Sequence, residues 1–107
     1  MTTYLGGGDG EEGGPFAGIA LVKFTAPWCG PCRAVQPAYE AFAASCAVRC
    51  FVLDVDGEDR AFERYGVERL PTFLLLSDGQ EVGRREGSAG AAAALAALLE
   101  EKLSFEE

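Results

Sequence analysis

No stretch of this sequence approaches the roughly 20 consecutive apolar residues needed to cross a bilayer. The opening segment, MTTYLGGGDGEEGG, also lacks the basic stretch and the apolar stretch of a secretory leader. These absences predict a soluble cytoplasmic chain with no membrane partner. Basic residues are scarce, 9 Lys and Arg against 17 Asp and Glu for a net charge of −8. That balance argues against a nucleic-acid surface, whose affinity rests on clustered positive charge. The acidity gathers at the ends, at Asp9, Glu11 and Glu12 and in the tail from 100 to 107, where it serves mainly to solvate them.

What is present is enough for one core: 107 residues, 49% of them hydrophobic. A single domain over 1–107 is predicted, with 1–17 as a glycine-rich N-terminal segment. From Gly6 to Gly14, six of nine residues are glycine, each costing a helix about 1 kcal/mol relative to alanine, so this segment reads as a loop.

GIALVKFT, Gly18 to Thr25, is a short apolar run bounded by glycine and proline, the pattern of a buried parallel strand. Val35, Tyr39, Phe42 and Ala43 recur at helical spacing and predict a helix from Pro31 to Ser45, kinked by Pro37. AVRCFVLDVD, Ala47 to Asp56, follows as a second buried strand, so a right-handed crossover should place the two strands parallel. A short helix from Glu58 to Tyr65 leads into a third strand, Thr72 to Leu76. Ser77, Asp78 and Gly79 then turn QEVGRRE back as a hairpin partner. The alanine-rich stretch from Ser88 to Leu103 is predicted to be a helix packing Leu95, Leu98, Leu99 and Leu103 on the sheet.

Four cysteines without a secretion signal argue against an extracellular scaffold held by disulfides, because cytosolic thiols are kept reduced. In that setting Cys29 and Cys32, in the stretch APWCGPCRAVQP, are a metal clamp or a redox pair. Cys29 falls in the turn before the predicted helix, where unpaired N–H groups and the positive end of the dipole favour an anion. A thiolate, not a thiol, attacks a disulfide, so Cys29 is the candidate nucleophile. Cys32, one turn inside the helix, is the candidate resolving cysteine. Gly30 and Pro31 allow a tight turn while limiting its motion, and Trp28 offers an apolar face to a polypeptide.

WCGPC, preceded by LVKFTAP and followed by RAVQP, resembles thioredoxins, and the similarity runs from Ile19 to Leu103. The resemblance implies an α/β thioredoxin fold, a mixed four- or five-stranded sheet flanked by helices. It implies a thiol-disulfide oxidoreductase that reduces protein substrates and is recycled by a thioredoxin reductase, with no metal or tightly bound cofactor. VERLPTF resembles the family's loop with a cis proline, here Pro71, and SDGQEVGRREG its hairpin ending in a groove glycine, here Gly87. Trp28, Gly30, Pro31, Leu70, Pro71 and Gly87 are then the expected substrate-binding residues, and Pro37 matches the proline that kinks the active-site helix. A module of the same fold that only binds its partners is the alternative; binding alone would require neither sulfur.

Cys46 and Cys50 have three other readings. A zinc site with Cys29 and Cys32 fits poorly, because a helix of about 15 residues, roughly 22 Å long, lies between the pairs. Small buried hydrophobes are the plain reading, and a second, regulatory disulfide is the sharper one. Two departures from the family stand out. Lys23 occupies the position where many thioredoxins carry a buried aspartate, so either a buried amine tunes the cysteines or its head reaches water along the sheet edge. The N-terminal segment leaves at most a short strand near Thr3 to Leu5, so the family's first strand and helix are abbreviated. A monomer is expected, with a dimer through a bare sheet edge or face as the alternative.

Overall fold

The computed structural model describes residues 2–6, 18–46, 48–56 and 59–103. Strands β1 (Thr2–Gly6), β2 (Ile19–Thr25), β3 (Arg49–Asp54), β4 (Thr72–Ser77) and β5 (Gln80–Glu86) form one sheet in the order β1-β3-β2-β4-β5. Helices α1 (Gly30–Ser45), α2 (Asp59–Arg64) and α3 (Ala91–Leu103) complete the fold. β2 and β3 run parallel across α1, pairing Leu21 with Cys50 and Lys23 with Val52. Every other neighbouring pair is antiparallel.

The alternation of side chains along a strand separates two cores. On one face Leu21, Cys50, Phe73 and Leu75 pack under Val35, Tyr39 and Ala43 of α1 and under Leu95 and Leu98 of α3. On the other, Ala20, Val22, Phe24, Phe51, Leu53, Leu74 and Leu76 pack with Phe62 of α2. The Phe24 and Phe62 rings meet edge to face at 4.9 Å, a favoured aromatic geometry.

Several helix and strand ends differ from the sequence reading. α3 starts at Ala91 rather than Ser88, because Gly90 has φ +58, which a helix cannot continue through. α2 ends at Arg64, where Val67 N–H donates to Phe62 O and Gly66 N–H to Glu63 O, with Gly66 at φ +62. That double bond pattern closes a helix C-terminus with a left-handed residue. Arg84 of β5 reaches across to the Tyr65 and Gly66 carbonyls at 2.5 and 3.4 Å and fixes this end to the sheet. The β4–β5 turn is two residues long, Asp78 at φ +53 and Gly79 at φ +84, the hairpin geometry that demands such residues.

The sheet has five strands rather than four, and its edge on this side is β1 rather than β3. β1 pairs antiparallel along β3, Thr2 opposite Leu53 and Tyr4 opposite Phe51, and so supplies the fifth strand. The expected bare face is corrected, since Ala20, Val22, Leu74 and Leu76 are fully buried. Ala47 and Glu58, predicted as element ends, lie outside the described residues.

Candidate active site

β2 ends at Thr25 and α1 begins at Gly30, so the cysteine pair sits at the carboxyl end of a central strand and the amino end of the longest helix. Cys29 is the N-cap, in an extended conformation, and its sulfur accepts the backbone N–H of Cys32 at 3.2 Å. Its own N–H donates to Ala26 O at 3.1 Å. The N-cap position itself turns the sulfur toward the open N–H groups of the first turn. Pro31 falls one place further into the helix than expected, since Gly30 is the first helical residue; both are exposed.

Cys29 and Cys32 are joined as a disulfide, with Cα atoms 5.3 Å apart. Cys32 is 0% exposed and Cys29 6%, so Cys29 is the more accessible residue of the pair. Ala26, Cys29 and Cys32 form a small apolar cluster against which Val55 and Leu70 pack. Leu70 thereby brings the loop before β4 to the disulfide. The Leu70–Pro71 peptide is cis, Pro71 is buried, and Pro71 O accepts the Gly87 N–H at 2.8 Å, tying the hairpin's end to the same place. Gly87 stands at φ +94, a conformation that side chains disfavour. Trp28 is 71% exposed beside this cluster, a large apolar ring left in water. Pro37 lies inside α1 on its exposed side and leaves the Arg33 carbonyl without its usual helical donor.

Lys23 lies behind the pair on β2, and its head does not reach water: the residue is 1% exposed. The sheet-edge alternative therefore fails, because β2 is the central strand and residue 23 faces α1. Nζ donates to Cys32 O at 2.7 Å and to Gln36 Oε1, while Gln36 Nε2 donates to Glu40 Oε2 at 3.1 Å. Desolvation pulls the amine's pKa down from 10.5 to about 8, with Glu40 opposing. A neutral amine has two N–H groups for these two acceptors and keeps a lone pair for a proton. Gln36 and Glu40 were missed by the sequence reading, although Cys32, Gln36 and Glu40 recur every four residues on one helix face. The sequence cue was a lysine inside the otherwise apolar run GIALVKFT.

Cys46 and Cys50 lie at the opposite end of α1. Cys46 is its half-buried C-cap and Cys50 is fully buried in β3. Among the described residues no three His, Cys, Asp or Glu side chains converge as metal ligands. No described helix is long and apolar enough to cross a membrane. The chain contains no histidine, and the N–H groups at the start of α1 are the donors beside Cys29 Sγ.

Comparison with known proteins matches residues 16–101 to the family model described as thioredoxin. A thioredoxin of Chlamydia muridarum is 44% identical over 72 residues, 66% of this chain and 71% of that one. A thioredoxin of Chlamydia trachomatis is 42% identical over the same shares. Among solved structures, a Fasciola hepatica thioredoxin superposes with a TM-score of 0.67 at 36% identity, covering 74% of this chain and 77% of that one.

Proposed function

The chain belongs to the thioredoxin family and is a thiol-disulfide oxidoreductase that reduces protein disulfides, and from that premise we propose how its own residues divide the work. Cys29, as thiolate, attacks one sulfur of the substrate disulfide. The substrate S–S bond breaks, one substrate thiolate leaves, and a mixed disulfide forms. Cys32 then gives up its proton and attacks Cys29 Sγ, which releases the second substrate thiolate. Two electrons have passed to the substrate, and the Cys29–Cys32 disulfide remains to be reduced.

The observation carrying this assignment is the N-cap geometry: Cys29 Sγ accepts the Cys32 N–H, while Cys32 is wholly covered. The same N–H and helix dipole would stabilise a Cys29 thiolate. Lys23 acts on Cys32 as a positioning residue, holding its carbonyl and offering a proton acceptor close behind it. Trp28, Gly30, Pro31, Leu70, Pro71 and Gly87 form the rim on which an extended substrate segment lies. Apolar burial at Trp28 and Leu70 supplies affinity there without reading a particular sequence.

The partners are disulfide-bearing proteins and a reductase, which we take to be a thioredoxin reductase. A single domain and a monomer in the reducing cytoplasm fit a chain that carries two further free thiols, Cys46 and Cys50. No cofactor enters these steps, since the electrons reside on sulfur.

Insulin reduction driven by dithiothreitol tests the reading. The parent protein should accelerate it, Cys29→Ser should lose the acceleration, and Cys32→Ser should accumulate a covalent mixed disulfide through Cys29. An inactive parent would instead favour a module that binds partners without turnover.

A further inference from the structure

The second cysteine pair plays no part in this cycle, yet its surroundings are built like those of a dithiol. Cys46 caps the C-terminus of α1, with φ −82, ψ 142 and its N–H donating to Ala43 O at 3.3 Å. Cys50 lies in the interior of β3, paired with Leu21 of β2. Cys46 packs against the buried cluster that holds Cys50, Tyr39 and Ala43, a side-chain hydrogen bond links the two thiols, and Cys50 Sγ lies 3.5 Å from the Val48 carbonyl. The Tyr39 hydroxyl, which donates to Phe51 O at 2.8 Å, touches the Cys50 thiol as well. Two thiols thus border one largely dry cluster, one half-exposed and the other fully buried.

We propose that Cys46 and Cys50 form a second redox centre, a dithiol that a hydroperoxide converts to an intramolecular disulfide, with Cys46 as the attacking sulfur. The asymmetry assigns the roles. Only Cys46 reaches solvent, and the Cys50 hydrogen bond draws its pKa below that of an ordinary thiol. This happens at a helix C-terminus, which by itself disfavours an anion. The same hydrogen bond and burial push Cys50 upward, keeping it a thiol until its partner has reacted.

The step balances without any other reagent. The Cys46 thiolate attacks one peroxide oxygen, the O–O bond breaks, and the sulfur becomes a sulfenic acid as the other oxygen leaves as hydroxide or alkoxide and takes up a proton. Cys50 sulfur then attacks Cys46 Sγ, the S–O bond breaks, and the oxygen leaves as water with the Cys50 proton. The two sulfurs lose two electrons, and hydrogen peroxide becomes two waters. Four positions separate the two residues along the chain, and bond formation closes their sulfurs to roughly 2.05 Å.

The test uses a C29S/C32S variant, so that a failure here is distinct from a failure of the reductase reading. After hydrogen peroxide treatment its two remaining thiols should both disappear, with a mass loss of two hydrogens restored by dithiothreitol. Trypsin cuts after Arg33, Arg49 and Arg60, so a crosslinked pair of peptides 34–49 and 50–60 reports the bond directly. Adding Cys46→Ser should leave the Cys50 thiol unreacted. The parent protein with Cys29–Cys32 already oxidised supplies the same digest should the double variant not fold. Thiols that survive excess peroxide, Cys46 driven to sulfinic acid beside a free Cys50, or a crosslink between two chains would each overturn the proposal.

Discussion

At the residue scale the least ordinary group is Lys23, an amine sealed between the central strand and the active-site helix. Its folded pKa of about 8 lies below the unfolded value of 10.5. Between those pH values the unfolded chain binds more protons, so the stability contribution of Lys23 rises with pH. Below about pH 8 the cost of burying the charged form is fully present. Lys23→Met removes the titration. Its stability should therefore gain on the parent at pH 7 by on the order of 3 kcal/mol more than at pH 10.5. Urea unfolding of the disulfide form at both pH values measures this, and a difference independent of pH would mean the amine titrates as if in water. The same variant should move the pH profile of Cys32-dependent resolution while leaving the first attack by Cys29 nearly unchanged, read by stopped-flow release of substrate thiol.

At the scale of elements, α1 is the axis of the molecule: Cys29 caps it at one end, Tyr39 packs in the middle and Cys46 caps the other. Tyr39 O–H donates to Phe51 O and lies 3.2 Å from Leu21 O, so one hydroxyl ties the helix to the parallel pair β2 and β3. Tyr39→Phe should cost about 1 kcal/mol, because a buried acceptor loses its donor while the ring packing against Phe73 stays. Thermal unfolding compared with the parent checks this. β5 meets α3 just as closely. A Cβ at Gly83 would stand 2.8 Å from Leu98 Cδ1, and Leu98 is fully buried. Gly83→Val should accordingly destabilise by about 1–3 kcal/mol, with disulfide reduction retained in whatever fraction is folded. A variant as stable as the parent would show that α3 docks more loosely than its packing indicates.

At the scale of the whole molecule, the order of the strands decides where chemistry occurs. β2 is central, so the turn leaving it emerges between loops that belong to distant parts of the sequence, those of Pro71 and Gly87. β1 occupies the edge that β3 would otherwise present to a second chain. The new edge is only the five residues of β1, and a short edge strand offers little to a second chain, so sedimentation equilibrium should return the mass of one chain, 11.3 kDa, at high concentration; a two-chain mass would overturn this.

How much was legible follows from the range of each interaction. Apolar runs, turn residues and a proline beside glycine act within a few positions, so the strands, the Asp78–Gly79 hairpin and the seat of Cys29 at a helix start could be read from the sequence alone. Element ends were less certain where one residue's backbone geometry intervened, as at Gly90. The amino-acid sequence by itself determined which sulfurs stand next to one another along the chain, and with them the family. Only the tertiary structure decided that Lys23 is buried under Cys32 with Gln36 and Glu40 in line, that β1 runs antiparallel on β3, and that Cys46 packs against the cluster holding Cys50. Those outcomes depend on which face of a strand meets which helix, and no local pattern carries that information; desolvation and pairing exist only once the layers have packed.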